Sequence, residues 1–324
     1  MKKQIALFTL SAVAALGASA RGSAWITTKE GENIRGILAE KSVRVTVNGA
    51  AREIPLKNIL SIHAGGEASA GEARRISEGI AAMMGTDRKG RDAASADLTD
   101  IGIPAITPLL KSYKDTDGHE PLAHYRLFER LIPGYADAAD RGADLIRLSS
   151  GEALRGKVET QQWTLTLADG KKRTVPSASL RRLAMFRPAI DRTFEVHSLR
   201  HATQIEFLDT GIAVDSASRI DIAAKGFVRL SFDIDGWASD PDGIKVPGPN
   251  YKTNLVDGHP FGALVGRTGP GGALWLAGSH SAKPGIGDGR LFLAVNDNRH
   301  WQNNIGSFQV RLKVSGGFDL GDAR

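Results

Sequence analysis

The chain predicts a multidomain, mainly β protein with a helical insert: two small β modules, a short α-helical segment between them, and a C-terminal β-sandwich. Three observations lead there. A β-patterned segment of about forty residues occurs twice, and the stretch between the copies has apolar residues at helical spacing. From Thr203 onward the composition shifts to glycine, asparagine and short apolar runs separated by turns.

The 324 residues open on a segment that is expected to be removed. Lys2 and Lys3 form a basic start, Ile5 to Gly17 is an apolar run too short to span a membrane, and Ala18-Ser19-Ala20 is an A-x-A cleavage site. Residues 1–20 therefore read as a secretory signal peptide, and a periplasmic or secreted protein is expected. The chain has no cysteine, which removes both a lipobox and any disulfide. The formal charge is +6 and falls to +4 once Lys2 and Lys3 leave. The basic residues are scattered, and Lys171-Lys172-Arg173 and Arg181-Arg182 read as solvated strand and turn faces, so no nucleic-acid partner is expected. No later stretch approaches the roughly eighteen apolar residues of a membrane span.

The first β module is assigned to 21–66 and the second to 144–187. Gly31-Glu32-Asn33-Ile34-Arg35-Gly36 recurs as Gly151-Glu152-Ala153-Leu154-Arg155-Gly156 at an offset of 120, and Val43 to Val47 matches Trp163 to Leu167 at the same offset. After one inserted residue Ile54-Pro55 matches Val175-Pro176, and Ile59 and Ile62 correspond to Leu180 and Leu183. Each copy alternates apolar and polar residues around a hairpin turn, Asn48-Gly49 or Asp169-Gly170. The pattern resembles SH3-like or Sm-like small barrels, which implies a module able to bind peptides or protein partners, or a structural spacer.

Residues 67–143 form the helical insert. Gly71 to Met84 places Ala73, Ile76, Ile80 and Met83 at helical spacing and ends at Gly85. A second helix is expected over Ala105 to Tyr113 and a third over Leu122 to Leu131. The run from Ile101 to Leu110, with Pro104 near the helix start, resembles one HEAT-type repeat. So short an array cannot form a solenoid, and the insert is expected to pack on the flanking β modules. His119 and His124 read as surface polarity rather than metal ligands.

A linker is expected at 188–202, the sandwich at 203–316 and a tail at 317–324. The expected strands are 205–214, 220–222, 227–232, 263–265, 274–277, 291–295 and 308–314. Between the last two, Asp297 stands six and seven residues before the paired carboxamides Asn303 and Asn304. Such an oxygen-rich loop suits a hard cation such as calcium, which takes about six to eight oxygen ligands.

Four motifs in this region occur together in order: Asp209-Thr210-Gly211-Ile212, Arg219 to Gly226, His259-Pro260-Phe261-Gly262-Ala263-Leu264-Val265-Gly266, and Leu291 to Asp297 followed by Asn303-Asn304-Ile305-Gly306-Ser307-Phe308. That order resembles the LecA-type galactophilic lectins over residues 203–316. The resemblance implies a jelly-roll-like sandwich that binds a galactoside through Ca2+. It implies Asp297, Asn303 and Asn304 as side-chain metal ligands. A main-chain carbonyl is implied at His300 or Trp301 and another near Leu230 or Asp240, and two sugar hydroxyls complete the shell. On the same basis the sugar-binding residues are His259, Asp297, His300, Trp301 and Asn303.

This chain departs from the family in three places. The loop from Asp297 to Asn303 is one residue shorter, the second carbonyl ligand has two candidate positions, and His259-Pro260 abuts Phe261 directly. His259 therefore either contacts the sugar or shapes the start of the next strand. Trp301 is either a stacking platform for a sugar face or a cap on the core. The Asx-rich loop either holds calcium or forms metal-free turns.

No G-x-S-x-G, H-E-x-x-H or P-loop pattern is present, and Gly285 to Gly289 lacks the strand-then-helix context of a nucleotide site. The carboxylate pairs Asp233/Asp235 and Asp240/Asp242 have no spatial relation readable from sequence. No enzymatic activity is expected. Two classes remain: an exported carbohydrate-binding protein, or an exported scaffold whose sandwich has lost its sugar.

Overall fold

The structure, a computed structural model, describes residues 22–85, 87–115, 142–203, 206–231, 237–244, 258–284, 287–297 and 304–321. The signal segment, the expected third helix, His119 and His124 lie outside them. The described chain is mainly β, with three helices between two sets of strands. None of these helices is long and apolar enough to cross a membrane.

The first repeat copy forms β1 (Ser23–Thr28), β2 (Asn33–Leu38), β3 (Ser42–Val47), β4 (Ala50–Pro55) and, after a 3-10 turn at 56–58, β5 (Ile59–His63). The second forms β6 (Asp144–Leu148), β7 (Ala153–Val158), β8 (Gln162–Thr166), β9 (Lys172–Pro176) and, after a 3-10 turn at 177–179, β10 (Leu180–His197). Asn48 and Gly49 both have positive φ, 50° and 78°, which gives the two-residue turn that the Asn-Gly pair favours. In the second copy Gly170 N donates to Leu167 O at 3.0 Å and Leu167 N to Lys171 O at 2.8 Å. This is a three-residue loop closed by Gly170 at φ 80°, and its extra residue is the insertion visible in the repeat.

The two copies do not stand side by side; they interlock. β2 pairs with β8 and β3 with β7, so each copy's β3–β4 or β8–β9 hairpin joins the other copy's β2 or β7 strand. β1 pairs with β10 and β5 with β6 in the same reciprocal way. The resulting order, β9-β8-β2-β1-β10-β5-β6-β7-β3-β4, reads identically from either end once the copies are exchanged. Its centre is the β10–β5 pairing, where Leu183 faces Ile62. Gly36 and Gly156 close the reciprocal seams: a Cβ there would lie 2.7 Å from Thr166 O and 2.4 Å from Thr46 O respectively. One apolar core, with Ile26, Val45, Ile62, Trp163, Leu165 and Leu183, serves both copies.

The insert comprises α1 (Ala70–Met83), α2 (Arg88–Ile101) and α3 (Ile103–Asp115). Ser69 and Glu72 start α1 with a reciprocal capping box. Asp87 caps α2 by accepting from Lys89 N and Gly90 N. α2 is a helix the sequence reading missed, because its buried stripe relies on small residues, Ala94 and Ala96, beside Leu98 and Ile101. α3 begins at Ile103, two residues earlier than expected, with Pro104 in its first turn.

Residues 188–197, expected within a linker, continue β10 without a break. β10 passes from the repeat into the sandwich and pairs from Phe186 to His197 with β18 (Ile305–Asp319). The other sandwich strands are β11 (Leu208–Val214), β12 (Arg219–Arg229), β13 (Ala238–Ser239), β14 (Leu264–Thr268), β15 (Trp275–Leu276), β16 (His280–Pro284) and β17 (Gly289–Val295). One sheet runs β16-β12-β18-β10 and the other β15-β14-β17-β11, joined where β11 meets β18. Their inner faces share a core that includes Ile222, Val228, Leu264, Leu293, Phe308 and Val310. Two expected strands merge into β12, because Gly226, at φ 113°, stays in register opposite Phe308 instead of ending the strand. β18 also runs into the expected tail as far as Asp319, and Phe318 and Leu320 pack with Trp25 of β1.

Arg181 and Arg182 correct the expectation of solvated basic faces: both are 3% exposed. Successive strand side chains point to opposite sides, and β10 is covered on both. Arg181 pairs with Glu72 of α1 at 2.6 Å, and Arg182 with Asp100 of α2 at 2.7 Å. Asp100 also meets Arg290 of β17 at 3.0 Å, Arg290 pairs with Asp209 of β11, and Asp92 pairs with Arg267 of β14 at 3.0 Å. The insert is thus bonded to the repeat, as expected, and to the sandwich as well.

Candidate functional site

The end of β17 and the start of β18 bring two of the expected ligands together. Apolar alternation carries β17 through Val295 and resumes at Phe308 of β18, and between them Asn296, Asp297 and Asn304 lie at one end of the sandwich. Asp297 is 1% exposed and Asn304 is 2% exposed. Asn304 Nδ2 donates to the Asp297 carboxylate and, at 3.1 Å, to Ser198 O. Asn304 Oδ1 is buried and has no hydrogen-bond partner among the described residues. A buried amide oxygen left unpaired is costly, and here it lies on a side chain bonded to a buried carboxylate. Oxygen donors of this kind fit a hard cation. Among the described residues no three His, Cys, Asp or Glu side chains converge as a metal-binding group, so a site here depends on amide and main-chain oxygens.

The neighbouring corner is held by Asn296, which is fully buried. Its Nδ2 donates to His259 O at 3.0 Å and Pro260 O at 3.1 Å, while Asn296 N donates to Ala263 O and Gly262 N to Asn296 O. His259 therefore stands beside the loop through its backbone. Its ring is turned to Leu274 O, 3.1 Å from Nε2. A carbonyl only accepts, so this contact requires a proton on Nε2.

Asp240 lies in the turn before β14. Its carbonyl accepts from Gly243 N at 3.0 Å and from Ser239 Oγ at 2.8 Å, and its carboxylate accepts from Asp242 N at 2.9 Å. The turn is tied to β14 through Pro241 O and Leu264 N. Asp242 accepts from Ser279 N at 2.7 Å and Ser279 Oγ at 2.9 Å, a bracket between two loops. Leu230, the other candidate position, is buried at the end of β12, and its N–H donates to Trp237 O at 2.9 Å. His300, Trp301 and Asn303 lie outside the described residues, as do Asp233 and Asp235.

The sequence reading missed Ser198, Thr203 and Asn296, which hold the site from behind. Asn296 could have been noticed as the polar residue that interrupts the apolar run just before Asp297. Ser198 acts through its carbonyl, and Thr203 acts on Asp297 across 94 residues, so neither leaves a local signature.

No protein-family model matches this chain, and no curated protein does. Among solved structures it is similar to the N-terminal domain of EclA, a PllA-like lectin. The match covers 39% of this chain and 96% of that one, at 23% sequence identity and a TM-score of 0.31.

Proposed function

We propose that the chain is an exported carbohydrate-binding protein whose C-terminal sandwich takes a galactoside-type ligand over a bound calcium ion. The supporting observation is the buried Asp297–Asn304 pair, in which Asn304 Oδ1 has no hydrogen-bond partner among the described residues. Asp297, Asn303 and Asn304 would hold the ion by their side chains, with main-chain carbonyls at His300 or Trp301 and near Leu230 or Asp240. Bound calcium would offer coordination positions to vicinal hydroxyls, which replace water on a cation that tolerates about seven or eight ligands. One carboxylate among mostly neutral donors makes a weak site, suited to the high free calcium outside the cytoplasm, where the segment 1–20 would direct the protein. The His259 ring, bonded to Leu274 O, favours its part in shaping the corner, with Nδ1 as the atom left for a sugar hydroxyl.

Titration calorimetry with galactosides, with and without a chelator, tests the reading. Calcium-dependent heats that vanish in the Asp297→Ala variant are expected. Absence of chelator-sensitive binding to any glycan would leave the sandwich as a scaffold.

A further inference from the structure

Residues 198–203 leave β10 and run back along the end of β17. Val295 N donates to His201 O at 2.7 Å, Thr203 N donates to Val295 O at 3.0 Å, and Ala202 faces Val295 in a parallel bridge. The named strands around this strap pair antiparallel, so it is a separate piece of backbone laid against the candidate site.

At its far end stands Thr203, 1% exposed. Its hydroxyl donates to Asp297 O at 2.9 Å and accepts from Asp297 N at 3.1 Å. One side-chain oxygen therefore bonds both main-chain polar groups of the buried residue that supplies the carboxylate. A hydroxyl can do this because it donates once and accepts twice. At the near end Ser198, fully buried, donates from N at 3.1 Å and from Oγ at 2.9 Å to Gly306 O. Its carbonyl accepts from Asn304 Nδ2 at 3.1 Å.

The strap thus grips Asp297 after β17 and Asn304 before β18. We infer that it sets the geometry of the cation site, with Thr203 as the positioning residue for Asp297, an inference that rests on the calcium reading above. Calcium–oxygen distances fall within a few tenths of an ångström of one another, so the backbone from which the carboxylate projects must be held in place. Partners one bond removed from a metal ligand typically change affinity by about 10- to 100-fold when lost.

Calcium itself is the probe, titrated calorimetrically into the full chain and into Thr203→Val and Thr203→Ser. The valine keeps the shape and loses both hydrogen bonds; the serine keeps them. Calcium binding is expected to weaken about 10- to 100-fold in Thr203→Val and to return to near the parent value in Thr203→Ser. Melting in chelator supplies the second readout, since a positioning role costs more calcium affinity than apo stability. Equal affinity in the parent and Thr203→Val overturns the inference. A valine variant whose chelated form melts or fails to fold while the serine variant does not shows Thr203 to be structural and also overturns it. A parent chain that binds no calcium defeats the calcium reading itself, an outcome separable from the other two.

Discussion

Glu72 and Arg181 meet in a two-pronged ion pair, with Nε at 2.6 Å and Nη2 at 2.7 Å from the two carboxylate oxygens, and neither side chain is more than 3% exposed. Glu72 also accepts from Ser69 N at 2.9 Å, so the carboxylate that completes the α1 capping box also ties the helix to β10. Arg181 completes its shell with Ala64 O at 2.9 Å.

Removing one partner of such a pair strands a buried charge. Glu72→Ala is expected to cost about 3–5 kcal/mol, seen as a lower urea midpoint with an unchanged slope. A change below about 1 kcal/mol would show that solvent reaches Arg181.

The glycine seams give a second prediction. Alanine at Gly156 or Gly36 would place Cβ 2.4 Å or 2.7 Å from a carbonyl oxygen of the facing strand, whereas Gly142 has nothing within 4 Å. Gly36→Ala and Gly156→Ala are each expected to destabilise by about 1–3 kcal/mol, and Gly142→Ala by less than about 0.5 kcal/mol. Thermal melts of the three variants, compared at matched pH, check the ranking. Equal melts would mean that the two copies do not press together at these seams.

His63 and Asp100 both contribute to the acid response. Burial of the His63 imidazole, then the charges of Arg182, Arg147 and Arg290, hold its pKa well below the ordinary 6.5. The unfolded chain takes up this proton at higher pH than the folded one, so His63 makes stability fall as pH drops below about 6.5, down to the folded pKa. For Asp100, burial alone would raise the pKa, but Arg290 and Arg182 outweigh it and hold the carboxyl below 3.8. Its contribution is present above that value and is lost as pH falls through the lower folded pKa. Urea titrations between pH 7.5 and 5.5 (about one pH unit either side of the ordinary imidazole value) should show a smaller slope of stability with pH in His63→Leu than in the parent. Identical slopes would show that the imidazole titrates alike in both states.

If the chain binds calcium as proposed, the ion should stabilise the fold, since a ligand that binds only the native state adds about 2.7 kcal/mol at a hundred times its dissociation constant. Scanning calorimetry with calcium and then with chelator is expected to show a melting shift that Asp297→Ala abolishes. A shift that survives Asp297→Ala would place the ion elsewhere.

Much of this was legible locally. The recurrence of Gly31 to Gly36 at Gly151 to Gly156 marked the duplication, and its last glycine in each copy proves to be the seam residue. The turn pairs Asn48-Gly49 and Asp169-Gly170 marked the hairpins, and the polar residues after Val295 marked the loop where Asp297 and Asn304 meet. α2 was not legible because alanine gives little apolar contrast. The burial of Arg181 and Arg182 was not legible because adjacent arginines on a strand look the same whether solvent or carboxylates face them.

By itself, then, the sequence determined the duplicated strands of the repeat, where its chains turn, and the apolar runs at the centre of the sandwich, because these follow from side-chain alternation and backbone preference within a few residues. The tertiary structure alone decided that β3–β4 and β8–β9 exchange partners, that β10 runs unbroken from repeat to sandwich, and that Thr203 grips Asp297. Two copies with the same apolar pattern satisfy β pairing equally well within a copy or between copies. Only the long-range packing around Leu183 and Ile62, and the covered charges on either side of β10, select one arrangement.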